Sequence, residues 1–287
     1  DGYARMSGKS AANLLHLGPG LGNAFANIHN AKKAFSPMIN IVGDHASYHL
    51  KHNAPLTSDL DGLAKSSSDW VKRVSSPEQI TQCANDAWKA ANESPGNIAT
   101  LIVPADYAWS DIDSDLPKKA ELNNRKSVDS KLIESAYKLL LKPNSMLYLG
   151  GKFLDEECLK FAAQIATKTG CRLVTDTFVS RIRRGAGLPI IQQVPYFSEM
   201  AEDFLQGTES IVFIGTKPPV SFFAYPDKKS FLSPDEAELF QLCSVEEDGH
   251  EALALLSELS GSPKIANDLI RPHISEVPTS GDLDVTT

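Results

Sequence analysis

The chain has 287 residues, which is enough for about two domains of ordinary size. Hydrophobic residues at 42% and charged residues at 22% are typical of a globular protein with a large buried core. The formal net charge of −8 argues against a nucleic-acid-binding protein, which would need a basic face. Apolar runs are shorter than the roughly 20 residues that cross a bilayer, and there is no signal-peptide pattern, so we expect a cytoplasmic protein.

Residues 1–110 alternate between strand and helix patterns. An apolar run over residues 11–17 predicts a strand that ends in a tight turn at Gly18, Pro19 and Gly20. Helices are predicted over residues 23–35 and from Pro77 to residue 91, and buried strands over residues 38–42 and 98–103. The alternation predicts a doubly wound α/β domain with a mainly parallel sheet, and we expect it to be incomplete at its N-terminus.

Residues 111–128 are polar and rich in Asp, Lys and Asn, which predicts a linker. A second doubly wound α/β domain is predicted over residues 129–260, where strands and helices alternate again. Its predicted helices cover residues 132–141, 155–169, 198–205 and 251–259, and its strands cover 146–149, 173–176, 211–214 and 239–243. Residues 261–287 lose this periodicity and are predicted to be a linker towards a further domain.

The four cysteines, Cys83, Cys158, Cys171 and Cys243, are far apart and form no C-x-x-C pair. A free thiol in apolar surroundings behaves as a small hydrophobic residue. We therefore expect all four to be reduced core residues.

Residues 16–23 contain three glycines between a predicted strand and a predicted helix. Glycines at such a place let a ligand approach the backbone closely. One alternative is a turn that binds nothing, since lone glycine turns are common. Another is a dinucleotide site, with Asp44 on a ribose hydroxyl, but its fingerprint needs glycine where Asn23 stands, and Pro19 lacks an amide hydrogen.

Several short motifs occur in the order seen in one known family: Asp1-Gly2-Tyr3-Ala4-Arg5, Gly18-Pro19-Gly20 with Asn23, Ile41-Val42-Gly43-Asp44 and Ile102-Val103-Pro104-Ala105-Asp106. They resemble the pyrimidine-binding domain of the thiamine-diphosphate-dependent enzymes that include acetolactate synthase and benzoylformate decarboxylase. Residues 129–260 resemble, more loosely, the middle domain of that family. The resemblance implies a homodimer or homotetramer that decarboxylates a 2-oxo acid and either transfers the product to an acceptor or releases an aldehyde.

The resemblance also implies site residues. Gly18, Pro19, Gly20 and Asn23 correspond to family residues that lie beside thiamine diphosphate and the substrate. His16 corresponds to the histidine that directly precedes this segment in benzoylformate decarboxylase, which implies a catalytic role in proton transfer, and histidine can exchange protons near neutral pH. The alternative is a histidine with no catalytic role at the end of a strand.

Asp44 and His45 follow the second strand, where many family members have Gly-Gln, and they are candidates for substrate binding. His45, His49 and His52 have helix-like spacing that could indicate zinc, although a solvated surface is the alternative. Asp59 is interpreted as a helix cap.

The family has three domains, and its third holds the diphosphate and Mg²⁺ through a Gly-Asp-Gly motif that does not occur here. Its activating glutamate precedes the segment that corresponds to Asp1. We therefore expect an incomplete chain that is inactive alone. The glycine turns at Gly150 and Gly215 leave the binding of FAD undecided, because acetolactate synthases hold a flavin in this domain and the decarboxylases do not.

Two other functions remain possible from the sequence. One is a non-catalytic binding or assembly paralogue that keeps the fold without the chemistry, since fold alone does not fix function. The other is a nucleotide-dependent dehydrogenase. Phe222, Phe223 and Tyr225 are interpreted as packing residues.

Overall fold

The computed structural model describes residues 1–113 and 115–272, so the predicted linker over residues 261–287 falls largely outside them. The chain forms two compact units. Unit 1 contains residues 1–127 together with 178–181 and 245–248, and unit 2 contains residues 128–177, 182–244 and the chain from residue 249 onward. Within the described residues, no helix is both long enough and apolar enough to span a membrane.

Unit 1 is built from alternating helices and strands. They are α1 (Gly2–Ser7), β1 (Ala11–His16), α2 (Leu17–Lys33), β2 (Met38–Asp44), α3 (Leu60–Ser67), β3 (Trp70–Arg73), α4 (Ile80–Asn92), β4 (Ile98–Pro104) and α5 (Ala105–Trp109). Short 3₁₀ turns cover Leu50–His52 and Pro77–Gln79. The strands form one parallel sheet in the order β1-β2-β4-β3.

Helices cover both faces of this sheet. Ile98 and Ile102 on β4 pack in one apolar cluster with α2 and α3, for example with Leu21. Leu101, which points the other way because strand side chains alternate, packs with Cys83 on α4. The predicted α/β class with a parallel sheet is therefore confirmed for this part of the chain.

The predicted tight turn at Gly18–Gly20 is wrong. Helix α2 begins at Leu17, so the three residues form its first turn, and His16 is the N-cap. Pro19 is compatible with this position because the first backbone N–H groups of a helix have no partner within the helix. Strand β3, which has four residues with Lys72 exposed, was not predicted, and of helix α3 before it only the cap at Asp59 was predicted.

Unit 2 repeats the α/β plan. Its elements are α6 (Ser130–Leu140), β5 (Ser145–Leu149), α7 (Glu156–Thr169), β6 (Arg172–Thr175), β7 (Gln192–Gln193), α8 (Ser198–Leu205), β8 (Ser210–Ile214), β9 (Glu238–Cys243) and α9 (Gly249–Leu259), with a 3₁₀ turn over Asn267–Leu269. All strand pairs are parallel, in the order β7-β6-β5-β8-β9. The predicted doubly wound α/β class is confirmed here as well.

The packing of unit 2 follows from its sequence patterns. Met146 and Tyr148 on β5 pack in a cluster with α8, while α6 and α7 each pack against α9. Asp155 caps α7 as its sequence position predicts, with its carboxylate 2.9 Å from the backbone nitrogen of Cys158. All four cysteines are buried, as expected, and none of them forms a disulfide.

Candidate functional site

His16 lies where β1 ends and α2 begins. Alternate residues of β1 are exposed, so Leu14 and His16 share one face of the strand, and Leu14 is 80% exposed. Strand β1 is at the edge of its sheet, and the exposure of Leu14 shows that the described part of unit 1 does not cover this face. His16 therefore stands at the carboxyl edge of the sheet, next to an uncovered apolar face.

The first turn of α2 has an inner and an outer side. Leu17, Gly18 and Leu21 are buried, whereas His16, Pro19 and Asn23 are exposed. Residues three and four apart lie on the same face of a helix, so Pro19 and Asn23 share the outer face with His16. Gly20 lies at the flank of this face and is half-buried. The structure thus brings together four of the five residues predicted for this segment.

Gly18 is the exception, because it faces the loop that leads into α3. A Cβ atom at Gly18 would overlap the side chain of Ser58. Ser58 directly precedes Asp59, which caps α3 as expected by accepting a 2.9 Å hydrogen bond from the backbone nitrogen of Gly62. Packing inside unit 1 is therefore enough to require glycine at position 18.

Asp44 ends β2 and is only 5% exposed. Its carboxylate accepts a 2.5 Å hydrogen bond from Arg73 and a 2.7 Å hydrogen bond from the backbone nitrogen of His45. Arg73 also donates to Asp61, at 2.7 and 2.9 Å. Burial alone would lower the pKa of Arg73, but the two carboxylates outweigh it and raise that pKa. Asp44 is thus already paired, which removes the free carboxylate that the dinucleotide interpretation needs.

Sequence reasoning missed Arg73. The available signal was a cation at the end of a short strand, and parallel strands bring their carboxyl ends to the same edge of a sheet. Because β3 itself was not predicted, that signal could not be used.

His45 is half-buried, and its Nε2 atom is buried without a hydrogen-bond partner. The rings of His45 and His49 are 5.3 Å apart, and those of His49 and His52 are 5.7 Å apart. The part of the chain that the structure describes nevertheless contains no group of three or more His, Cys, Asp or Glu residues that could hold a metal ion. The zinc alternative is not supported there.

In unit 2, the direction in which strands are added to the sheet reverses between β5 and β8, because β6 and β7 lie on one side of β5 while β8 and β9 lie on the other. Ligands of doubly wound sheets bind in the crevice beyond such a switch point. Here Phe153, which is 2% exposed, packs against Gly215 and Gly249 so closely that a Cβ atom on either glycine would overlap its ring. The chain's own side chain fills this crevice.

Polar side chains close the same edge of unit 2. Asp176, directly after β6, accepts hydrogen bonds from the hydroxyl groups of Tyr148 at 3.1 Å and of Thr216 at 2.7 Å. Burial raises the pKa of Asp176 and outweighs both hydrogen bonds, which lower it. Burial and the nearby carboxylate raise the pKa of Tyr148 as well. Gly150, at the end of β5, has no room for a Cβ atom because Thr216 and Asp176 lie against it.

The chain is similar to known proteins over both units. Residues 1–64 match the family described as thiamine pyrophosphate enzyme, N-terminal TPP binding domain. A Mycobacterium tuberculosis protein provisionally named acetolactate synthase large subunit IlvX is 42% identical over 245 residues, which are 84% of this chain and 46% of that protein. The acetolactate synthase large subunit of Corynebacterium glutamicum is 25% identical over 92% of this chain and 44% of its own length.

A solved structure, benzoylformate decarboxylase from Polynucleobacter necessarius, matches with a TM-score of 0.78 and 20% identity over 99% of this chain and 56% of that chain. This likeness shows the fold. The chain spans about half the length of the curated relatives it matches. The resemblance stated from the sequence motifs is confirmed.

Proposed function

Because this chain is related to the thiamine-diphosphate-dependent enzymes, we propose that it is part of an enzyme that decarboxylates a 2-oxo acid and transfers or releases the product. The observation that carries the proposal is the exposed outer face formed by His16, Pro19 and Asn23. It lies at the carboxyl edge of a parallel sheet, where α/β proteins bind ligands, and within residues 1–64, which match the TPP-binding domain.

The proposed roles follow from this placement. Thiamine diphosphate, when bound, supplies the electron sink for decarboxylation. Pro19, Gly20 and Asn23 border its pyrimidine ring, and the Asn23 amide can both donate and accept hydrogen bonds there. His16 moves a proton to or from the reacting substrate through its ring nitrogen. Gly18 keeps the start of α2 packed against Ser58.

Asp44 and His45 receive different roles in this proposal. The carboxylate of Asp44 is buried and held by Arg73, so it fixes the end of β2 and does not touch the substrate. His45 has a ring nitrogen without a partner and is the better candidate to bind the substrate. A buried polar atom without a partner is costly, and a bound ligand would satisfy it.

We also propose that the other half of the cleft comes from outside residues 1–287. Strand β1 is an edge strand with Leu14 exposed beside His16, which supports a surface that is covered in the complete assembly, and we expect that assembly to be a homodimer or homotetramer in the cytoplasm. The relatives are about twice as long as this chain, which supports a further domain that binds the diphosphate and Mg²⁺. The isolated chain is accordingly expected to be inactive.

FAD does not fit the crevice of unit 2. Phe153 occupies the space between Gly215 and Gly249, and Asp176 and Thr216 leave no room beside Gly150. We therefore propose that this crevice holds no flavin. Protein purified from its native host should show no flavin absorbance, and co-purified FAD would contradict this part of the proposal.

The test is an assay of the full-length product of the gene that encodes this chain. After removal of bound cofactor, carbon dioxide release from pyruvate and benzoylformate is measured with and without added thiamine diphosphate and Mg²⁺. Release that requires both additions would support the proposal. If thiamine diphosphate neither binds nor permits turnover of any 2-oxo acid tested, the protein is better described as a non-catalytic assembly module.

A further inference from the structure

Unit 2 exposes five aromatic side chains at one place on its surface: Tyr196, Phe197, Phe222, Phe223 and Tyr225. Their exposed fractions run from 43% for Tyr196 to 63% for Phe197. The interpretation of Phe222, Phe223 and Tyr225 as packing residues is therefore wrong. Monomeric proteins seldom expose so much aromatic surface in one patch unless it binds something.

Ring contacts hold four of the five side chains together. The ring centroids of Tyr196 and Phe197 are 5.3 Å apart, those of Tyr196 and Phe222 are 5.6 Å apart, and those of Phe222 and Phe223 are 4.9 Å apart. These spacings and the tilted or edge-on ring angles are the favourable ones for aromatic pairs. Phe222 lies at the centre of the chain of contacts, so its loss would disturb the whole cluster.

The cluster lines a cavity of about 320 Å³. This volume is at the lower end of the range for small-molecule sites, and a mainly aromatic lining with few polar groups is typical of them. Two charged residues line it, Lys228 and Glu199, and they form an ion pair of 2.9 Å. Both side chains are well exposed, and such pairs contribute little free energy, so a ligand can compete for either partner.

We propose that this cavity binds a planar aromatic ring that carries a carboxylate. The ring would stack among Tyr196, Phe222 and Phe223, and the carboxylate would replace Glu199 as the partner of Lys228. The choice of a carboxylate over a cation rests on the proposed function, whose substrates are all carboxylates. The choice of an aromatic ring rests on the cavity alone.

The test is a fluorine NMR titration of the full chain with fluorobenzoate, without thiamine diphosphate. We expect saturable binding that benzoate displaces and cyclohexanecarboxylate, which has the same charge but no aromatic face, displaces poorly. Phe222→Leu should weaken binding roughly tenfold, which corresponds to the upper end of the free energy contributed by one aromatic pair. Trp109→Leu, which changes an exposed aromatic residue of unit 1 that does not line the cavity, should leave it unchanged.

Two neighbouring lysines provide a matched test of the carboxylate. Lys228 lines the cavity and pairs with Glu199, whereas Lys229 pairs with Asp235 and is not part of the lining. Lys228→Gln should weaken fluorobenzoate binding by up to about fivefold. Lys229→Gln should not.

Several outcomes would overturn the inference. They are the absence of saturable binding, equal displacement by cyclohexanecarboxylate, or tighter binding of benzylammonium than of benzoate. If instead Phe222→Leu changes the sedimentation mass of the protein while no ligand binds, the cavity is an interface between copies. Because this titration needs neither cofactor nor turnover, its failure would leave the proposed decarboxylase activity untouched. Failure of that activity would remove the reason for choosing a carboxylate but would not alter the binding that the titration measures.

Discussion

At the carboxyl end of β1, in unit 1, His16 is exposed beside an uncovered Leu14, whereas beyond β5 in unit 2 the corresponding space is filled by Phe153. Both sheets are parallel and doubly wound, so the fold offers a ligand site at each of these edges. Among the residues that the structure describes, those of unit 1 leave this edge open, whereas those of unit 2 fill it. The fold therefore places a possible ligand site at this edge, and individual side chains determine whether the site is open or filled.

The charged groups at the two edges are also held in different ways. In unit 1, Arg73 joins the carboxylates of Asp44 and Asp61 with charged hydrogen bonds. In unit 2, the single carboxylate of Asp176 is held by two hydroxyl groups. An ion pair fixes the strand ends next to an open surface, while a single carboxyl group held by hydroxyl groups suits a closed and mostly apolar one.

Phe153→Ala tests whether the edge of unit 2 is closed by this ring. We expect a loss of about 4 kcal/mol in the free energy of unfolding, because a buried aromatic side chain is replaced by a cavity. Urea denaturation followed by circular dichroism would measure it, with the exposed Phe197→Ala as the control. A loss similar to that of the control would show that other groups close the crevice.

Arg73→Met tests the ion-pair network of unit 1. The change leaves the carboxylate of Asp44 buried without its cation, and we expect a loss of about 3 kcal/mol in urea denaturation. Asp61→Asn removes only the exposed partner and should cost less than about 1 kcal/mol. Equal losses for the two variants would mean that the burial of Asp44 does not increase the free-energy cost of breaking its ion pair.

His16→Ala tests the open edge itself. In the full-length gene product we expect turnover to fall by about 10²-fold, as the loss of a general acid or base usually requires, while stability is unchanged because His16 is exposed. His29→Ala, on the same helix and also exposed, is the matched control. Turnover at the wild-type rate in His16→Ala would remove this residue from the mechanism.

Asp176→Asn gives the smallest expected effect. Because burial raises the pKa of Asp176, the folded protein holds that proton more tightly than the unfolded chain does. The resulting stability is complete below the pKa of the unfolded state and is lost as the pH rises through the pKa of the folded state. The asparagine variant should therefore gain stability relative to wild type as the pH rises above about 4, the ordinary pKa of an aspartate.

The measurement is the urea midpoint of both proteins across that range, with the exposed Asp203→Asn as a control for general charge effects. A difference between Asp176→Asn and wild type that does not change with pH would show that the carboxylate is charged in the folded state throughout.

Much of the fold could be predicted from the sequence, because long apolar and amphipathic segments such as α7 and β4 carry strong periodic signals. The strand β3 could not, since its four residues are too few to show a period. The start of α2 was misplaced because Gly18, Pro19 and Gly20 favour a turn locally, while packing of Leu17 and Leu21 in the core extends the helix over them.

The candidate site was predicted less completely. His16 and the segment after it came from motif order, which does not depend on knowing side-chain directions. The pairing of Asp44 with Arg73, the closure by Phe153 and the exposure of Phe222 depend on contacts between residues far apart in the chain. Local sequence patterns contain no information about such contacts.

The contact between Gly18 and Ser58 has a consequence for how related sequences should be compared. A glycine kept at position 18 does not by itself indicate that thiamine diphosphate is bound, because a relative that has lost the chemistry would still need the space for Ser58. The informative pattern would be coordinated replacement, in which a larger residue at position 18 is found only together with glycine at position 58, because both the Oγ and the Cβ atom of Ser58 occupy the space. Homologues in which position 18 stays glycine whatever stands at position 58 would be the ones in which a ligand imposes the constraint.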